Sequence, residues 1–210
     1  TIKGGDATTN AGTFDAADQT DYMYAFGTAT LATTPAVATV NKDNPGASLT
    51  FMHALTEVSL TISKKADFGG VGSLTNIELS TSSETYKFRA GTGSLNLSDG
   101  NLTTSSVDNL YFASSGGVAI NEYGAGSPTT TATLLLAPAT IGAEGTPSMT
   151  LKLTIDGQVY EGPIPVTTIA QWEPGRNYTY TVTVGGGELS ITSVAIAAWV
   201  DTPSDPIDVQ

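Results

Sequence analysis

Trp172-Glu-Pro-Gly-Arg-Asn-Tyr-Thr-Tyr-Thr-Val-Thr-Val184, then Gly185-Gly-Gly187, then Glu188-Leu-Ser-Ile-Thr-Ser-Val-Ala-Ile-Ala-Ala-Trp199, is the most ordered pattern in the chain. Tyr178, Tyr180, Val182 and Val184 recur every second residue with threonines between them, the period of a strand with one buried and one wetted face. Pro174 and Gly175 make the entry turn, and the glycine triplet supplies the positive φ values that let the chain reverse. On the return arm Leu189 and Ile191 share one phase while Val194 and Ile196 share the other. That slip would turn half the arm to the wrong face unless a β-bulge near Ser193 absorbs it. The stretch therefore reads as a long β-hairpin framed by the two tryptophans of the chain.

Working outward, the same alternation recurs in short pieces. Leu151, Leu153 and Ile155 alternate up to Asp156-Gly157, a type I′-compatible dipeptide, and Val159 continues on the far arm. Pro163 and Pro165 restrict that arm to an edge or a strand end. Leu49, Phe51, His53 and Leu55 fall on one phase and Val58, Leu60 and Ile62 on the other, which requires a bulge or a bend between sheets at Thr56 and Glu57. Tyr22, Tyr24 and Phe26 suggest a further strand, and Asp99-Gly100 a hairpin before Leu102. The segment from Ser105 to Thr131 reads as loop, interrupted at Leu110 to Phe112 and at Val118 to Ile120. Short strands rich in Thr, Ser, Gly and Ala, with few Lys, Arg, Glu and Gln, give an all-β class and a β-sandwich.

Composition narrows the function. Twenty acidic residues against eight basic ones leave a net charge of −12, so nucleic acid and anionic membrane surfaces repel the chain. No apolar run approaches the roughly 20 residues of a membrane span, so no membrane insertion is expected of this segment. The sequence starts at Thr1 without a signal-like segment, and a leader is expected to have been removed or to lie outside it. With no cysteine, thiolate chemistry and disulfides are excluded. His53 is the sole histidine and reads as a structural residue within or at the edge of a sheet. Asp15, Asp18 and Asp21, and Asp201, Asp205 and Asp208, read as solvated acidic surface in preference to calcium sites. No catalytic, metal-binding or cofactor-binding residues are expected, and the chain is not expected to be an enzyme.

Three motifs together carry a family resemblance. Phe51-Met-His53-Ala-Leu-Thr-Glu-Val58 resembles the F-x-H-A-L-x-x-[VI] strand of the fimbrillin-like proteins of Bacteroidales. Trp172, Gly175, Tyr178 and Tyr180, with Trp199 beyond, resemble that family's closing hairpin and final tryptophan, and Asp21-Tyr-Met-Tyr-Ala25 is similar to the segment before its histidine strand. The resemblance implies a transthyretin-like, Greek-key β-sandwich and a structural or adhesive subunit of a surface pilus, exported to the outer membrane of a Gram-negative bacterium. It implies neighbouring pilin subunits as partners, joined by β-strand exchange in which a C-terminal strand fills a neighbour's open groove. Ile207 and Val209 would then be the inserting side chains. Residues 1–47 are expected to be an N-terminal arm or the remnant of a preceding β domain, and residues 48–210 the sandwich, ending in a donor tail at 200–210. The alternative is a monomeric surface adhesin that binds a host protein or glycan, with Tyr111, Phe112 and Tyr123 as an aromatic cluster; a carboxylate-based glycosidase is the third reading.

Overall fold

The computed structural model describes residues 19–27, 41–43, 49–97, 99–124, 130–167 and 169–199. They form β1 (Met23–Gly27), β2 (Leu49–His53), β3 (Thr56–Lys64), β4 (Ser73–Thr81), β5 (Phe88–Leu95), β6 (Leu102–Val107), β7 (Asn109–Ala119) and β8 (Thr130–Leu136). Three two-residue pieces follow, β9 (Ala139–Thr140), β10 (Gly142–Ala143) and β11 (Thr146–Pro147), then β12 (Met149–Ile155), β13 (Gln158–Pro163), β14 (Gln171–Trp172), β15 (Arg176–Gly185) and β16 (Glu188–Ala198). Among the described residues there is no helix, and so none long and apolar enough to cross a membrane.

Two four-stranded sheets make the sandwich, in the orders β13-β12-β4-β7 and β16-β15-β3-β8. Each sheet is assembled from strands far apart in sequence, the chain crossing between sheets after β3, β7, β8 and β13 in the interleaved manner of a Greek key. The alternation at 178–184 does what its period demands: Tyr178, Tyr180, Val182 and Val184 all face the core. They pack with Val58, Leu60 and Ile62 of β3, which pairs with β15 in parallel, Tyr178 opposite Val58 and Val182 opposite Ile62. Across the sandwich they meet Ile77 and Leu79 of β4 and Leu151 and Leu153 of β12. Burying each such side chain contributes roughly 1.5–3 kcal/mol relative to its exposure.

The slip in the return arm is absorbed as its pattern requires. Thr181 pairs with Ser193 but Val182 with Ile191, so Thr192 is the extra residue, and both Ile191 and Val194 pack against the core. The phase change after His53 is a bend: β2 ends there, β3 begins at Thr56, and the corner residues Ala54 and Leu55 are fully buried. One expectation is corrected. The segment from Ser105 onward contains the end of β6 and the eleven residues of β7, a full edge strand paired with β4. Its alternation is hidden because Val118 pairs with Leu74 but Ala113 with Asn76, so residues 114–117 bulge out, and Gly117 turns there at φ 68°.

The Asp156-Gly157 turn joins β12 to β13 with φ 51° and 78°, positive at both central positions as a type I′ turn needs. Its carboxylate also ties the turn to the start of β4: Asp156 Oδ2 accepts from Gly72 N at 2.8 Å and Oδ1 from Ser73 N at 2.9 Å. Those backbone donors hold its pKa below the usual carboxylate value. A lowered folded-state pKa stabilises the fold above the ordinary carboxylate range, and the increment is lost as pH falls through the folded value. Asp156→Asn keeps the left-handed preference and removes the charge. The variant should be less stable than the parent at pH 7, and the gap should close toward pH 2; equilibrium unfolding in urea across that range is the check.

Candidate assembly site

The closing hairpin enters through a turn that bonds to almost everything around it. Trp172, on β14 and paired with Ala139 of β9, is 1% exposed, stacks on Phe88 with ring centroids 6.4 Å apart, and donates its indole N–H to Tyr180 Oη at 2.9 Å. Glu173 N donates to Tyr178 Oη at 3.0 Å, and Thr56 Oγ1 donates to Glu173 O at 2.6 Å. Burial raises the pKa of both tyrosines, Tyr180 far above the usual phenol value, so both remain neutral hydrogen-bonding groups at working pH. Gly175 sits at φ 68°, its N–H donating to Leu55 O at 2.8 Å and its C=O accepting from Trp199 N at 3.0 Å. A Cβ there would meet nothing closer than His53 O at 3.8 Å, so the backbone angle, not space, is what calls for glycine.

Next to this turn the N-terminal hairpin docks. Ala54 N donates to Tyr22 O at 2.8 Å, and β1 pairs with β2 from Met23 opposite His53 to Gly27 opposite Leu49. His53 is 7% exposed and lies flat on Trp199, centroids 3.8 Å apart and planes 9° from parallel, while Nδ1–H donates to Asp21 Oδ2 at 2.8 Å. Asp21 thus departs from the expected solvated surface: it orients the histidine, and its Oδ1 is buried with no partner among the described residues. Below this stack, Leu55 and Leu135 form a small second cluster with Tyr22, Leu102 and Trp199 on the outer face of the sheet.

Six of the seven signature positions, His53, Trp172, Gly175, Tyr178, Tyr180 and Trp199, therefore meet at one end of the sandwich, where they join the first hairpin to the last. Phe51 does not; it is 61% exposed. Ile207 and Val209 lie outside the described residues, as do Asp15, Asp18, Asp201, Asp205 and Asp208. Tyr111, Phe112 and Tyr123 do not form one exposed patch: Phe112 is fully buried in the core, Tyr111 is half-buried opposite Glu78, and Tyr123 is exposed.

The sheet edges differ. On one side β13 and β16 close against each other, Gly162 lying so near Leu189 that a Cβ would come within 2.9 Å of its Cδ2. On the other side β8 pairs with β3, and among the described residues its outer ladder is met by one side chain. Gln19 Nε2 donates to Thr133 O at 2.7 Å, and Gln19 Oε1 accepts from Leu135 N at 2.6 Å. A primary amide used this way meets one acceptor and one donor of the edge that the backbone of an added strand would otherwise use. Backbone alternation turns the N–H and C=O of exposed Thr131 the same way, and no partner meets them among the described residues. Sequence reasoning missed Gln19, since a lone glutamine in a polar arm has no local signature.

The sequence pattern of the fimbrillin-like family matches residues 2–199. No curated protein matches the chain. Among solved structures, a candidate cell adhesion protein from Bacteroides uniformis aligns at 16% identity and TM-score 0.52, covering 76% of this chain and 56% of that one. A fimbrial protein from Bacteroides vulgatus aligns at 12% identity and TM-score 0.47, covering 72% and 56%. The tip fimbrial protein Mfa3 from Porphyromonas gingivalis aligns at 15% identity and TM-score 0.38, covering 71% and 52%. The chain spans about half the length of the solved structures it matches. The first likeness shows a shared fold.

Proposed function

The chain belongs to the fimbrillin-like family, and on that premise we propose that it is a non-enzymatic structural or adhesive subunit of a cell-surface fimbrium that joins its neighbours by β-strand exchange. The observation that carries the exchange is the outer edge of β8, where, among the described residues, Gln19 meets Thr133 O and Leu135 N and nothing meets the outward N–H and C=O of Thr131. An incoming strand would displace or extend Gln19, pairing its backbone with Thr131, Thr133 and Leu135 while alternate side chains settle beside Leu55 and Leu135. The donor in this reading is the tail at 200–210 of a neighbouring copy, with Ile207 and Val209 as its inserting residues. Residues 48–210 act as the exchanging sandwich domain and residues 1–47 as an arm packed on it. The place of action is the outer-membrane-associated surface of a Gram-negative bacterium, with other pilus subunits as partners and a host protein or glycan beyond them.

The test is the mass distribution in light scattering of the full chain, of a chain ending at Trp199, and of Thr131→Pro. Proline at an outward-facing edge position removes the N–H an added strand would use and leaves the β3 ladder intact. Oligomers in the full chain that vanish in both variants are the expected result. A full chain that stays monomeric at every concentration overturns strand exchange in favour of a monomeric surface module.

A further inference from the structure

A cleft of about 450 Å³ opens beside the signature turn, between the segment leading into β5 and the β9–β14 ribbon. It falls within the roughly 300–1,000 Å³ range of small-ligand pockets. Its walls are of three kinds. Pro138, Pro174 and half-buried Tyr86 offer apolar faces; Thr140 and Gln171 offer hydrogen-bonding side chains; Lys87 and Arg89 bring positive charge into a chain of net charge −12. The alternation of β5 explains the placing of the last: Phe88 and Ala90 turn into the core, so Arg89 between them turns out into the cleft.

The two cations are not equivalent. The Lys87 ammonium is 2.6 Å from Asp108 and 3.9 Å from Glu84, and its charge is already answered. Lys42, Lys152 and Arg176 likewise each have a carboxylate within 4 Å. Arg89 has no carboxylate partner among the described residues. A guanidinium presents paired N–H groups that match a carboxylate bidentately. At the far rim Glu173, 3.7 Å from Arg176 and 3.1 Å from Gln171, sets a negative boundary that disfavours a second charge on the occupant.

We propose that this cleft binds a monocarboxylate sugar residue, of the uronic or sialic acid class, with its carboxylate on Arg89, a ring face on the prolines and Tyr86, and hydroxyls on Thr140 and Gln171. The inference does not rest on strand exchange, since no cleft residue lies on β8 or in the tail. A single charge matches the single unanswered guanidinium. The neutral remainder matches a wall half apolar and half hydrogen-bonding, and a long polyanion would meet the net charge of −12 of the chain.

Saturation-transfer NMR titration of the full chain with glucuronic acid and N-acetylneuraminic acid is the experiment, with glucose, glucose 6-phosphate and acetate as comparators. At least one acid sugar is expected to bind tenfold or more tightly than all three comparators. Arg89→Ala should weaken it at least tenfold, Arg89→Lys should retain part of it, and Lys152→Ala, a cation elsewhere on β12, should change nothing. Unchanged far-ultraviolet circular dichroism of each variant confirms that it folds. Equal binding of glucose, equal binding of acetate, undiminished binding by a folded Arg89→Ala, or no binding by either acid sugar would each overturn the assignment. A monomeric chain that still binds would separate this site from the fate of the assembly reading.

Discussion

Trp172→Ala is expected to lower the unfolding free energy by about 3–5 kcal/mol, the range for removing a buried large aromatic side chain. Two losses add. The indole is 1% exposed and stacked on Phe88, and the space it leaves adjoins an existing apolar void of about 10 Å³ lined by Val58, Leu60 and Tyr180 among others. The Tyr180 hydroxyl also loses its donor deep in the core, where an unmet polar group costs about 1–3 kcal/mol. The two can be separated. Trp172→Phe keeps much of the apolar volume and drops only the donor, and adding Tyr180→Phe to it should recover part of the cost, because both partners are then gone. Urea unfolding followed by fluorescence reads every variant through Trp199, the other tryptophan of the chain. A drop below about 1 kcal/mol for Trp172→Ala would mean that the signature turn is not part of the cooperative core.

The second large effect is expected at Gly100→Ala. Gly100 lies between β5 and β6 at φ 74°, its N–H donating to Asn96 O at 2.8 Å, and a Cβ there would stand 2.2 Å from Cζ of Tyr24. The positive φ costs a side chain about 1 kcal/mol or more, and overpacking a buried ring a further 1–3 kcal/mol. Together these make about 2–4 kcal/mol, concentrated where β1 packs on the β5–β6 loop. Burial, with the nearby charge of Asp99, raises the Tyr24 pKa, so a ring pushed out toward solvent should titrate nearer to 10.0. In a Tyr24→Ala background the same glycine substitution should cost only the backbone share. Hydrogen exchange over residues 19–27 and phenolate titration by absorbance test this; additive costs in the double variant would show that the ring and the glycine do not meet.

The junction also bears on assembly. Asp21, His53 and Trp199 hold the first hairpin against the last, and Leu135, the residue whose N–H Gln19 meets, belongs to the same small cluster. Loosening that cluster would weaken the hold of Gln19 on the β8 edge, so under the proposed strand exchange Gly100→Ala is expected to alter oligomer formation as well as local stability.

Local pattern was enough for much of this molecule. The two-residue period at 178–184, the Asp156-Gly157 reversal, the edge position of the strand ending at Pro163 and the need for a bulge near Ser193 all follow from side-chain alternation and turn chemistry, which act between near neighbours. The signature residues were nameable on resemblance, but their work was not. That Trp172 serves Tyr180, that His53 lies on Trp199, and that Asp21 grips His53 are meetings between elements far apart in the chain, and no local period encodes them. β7 reads in the sequence as two short interruptions of a loop because residues 114–117 bulge out and break its alternation, and only pairing with β4 joins them into one strand. The parallel match of β15 with β3, the place of Gln19 on the outer side of β8 and the cleft at Arg89 were decided by how two sheets stack and where their edges fall. Those are properties of long-range packing and register, and they exist only once the whole core has closed.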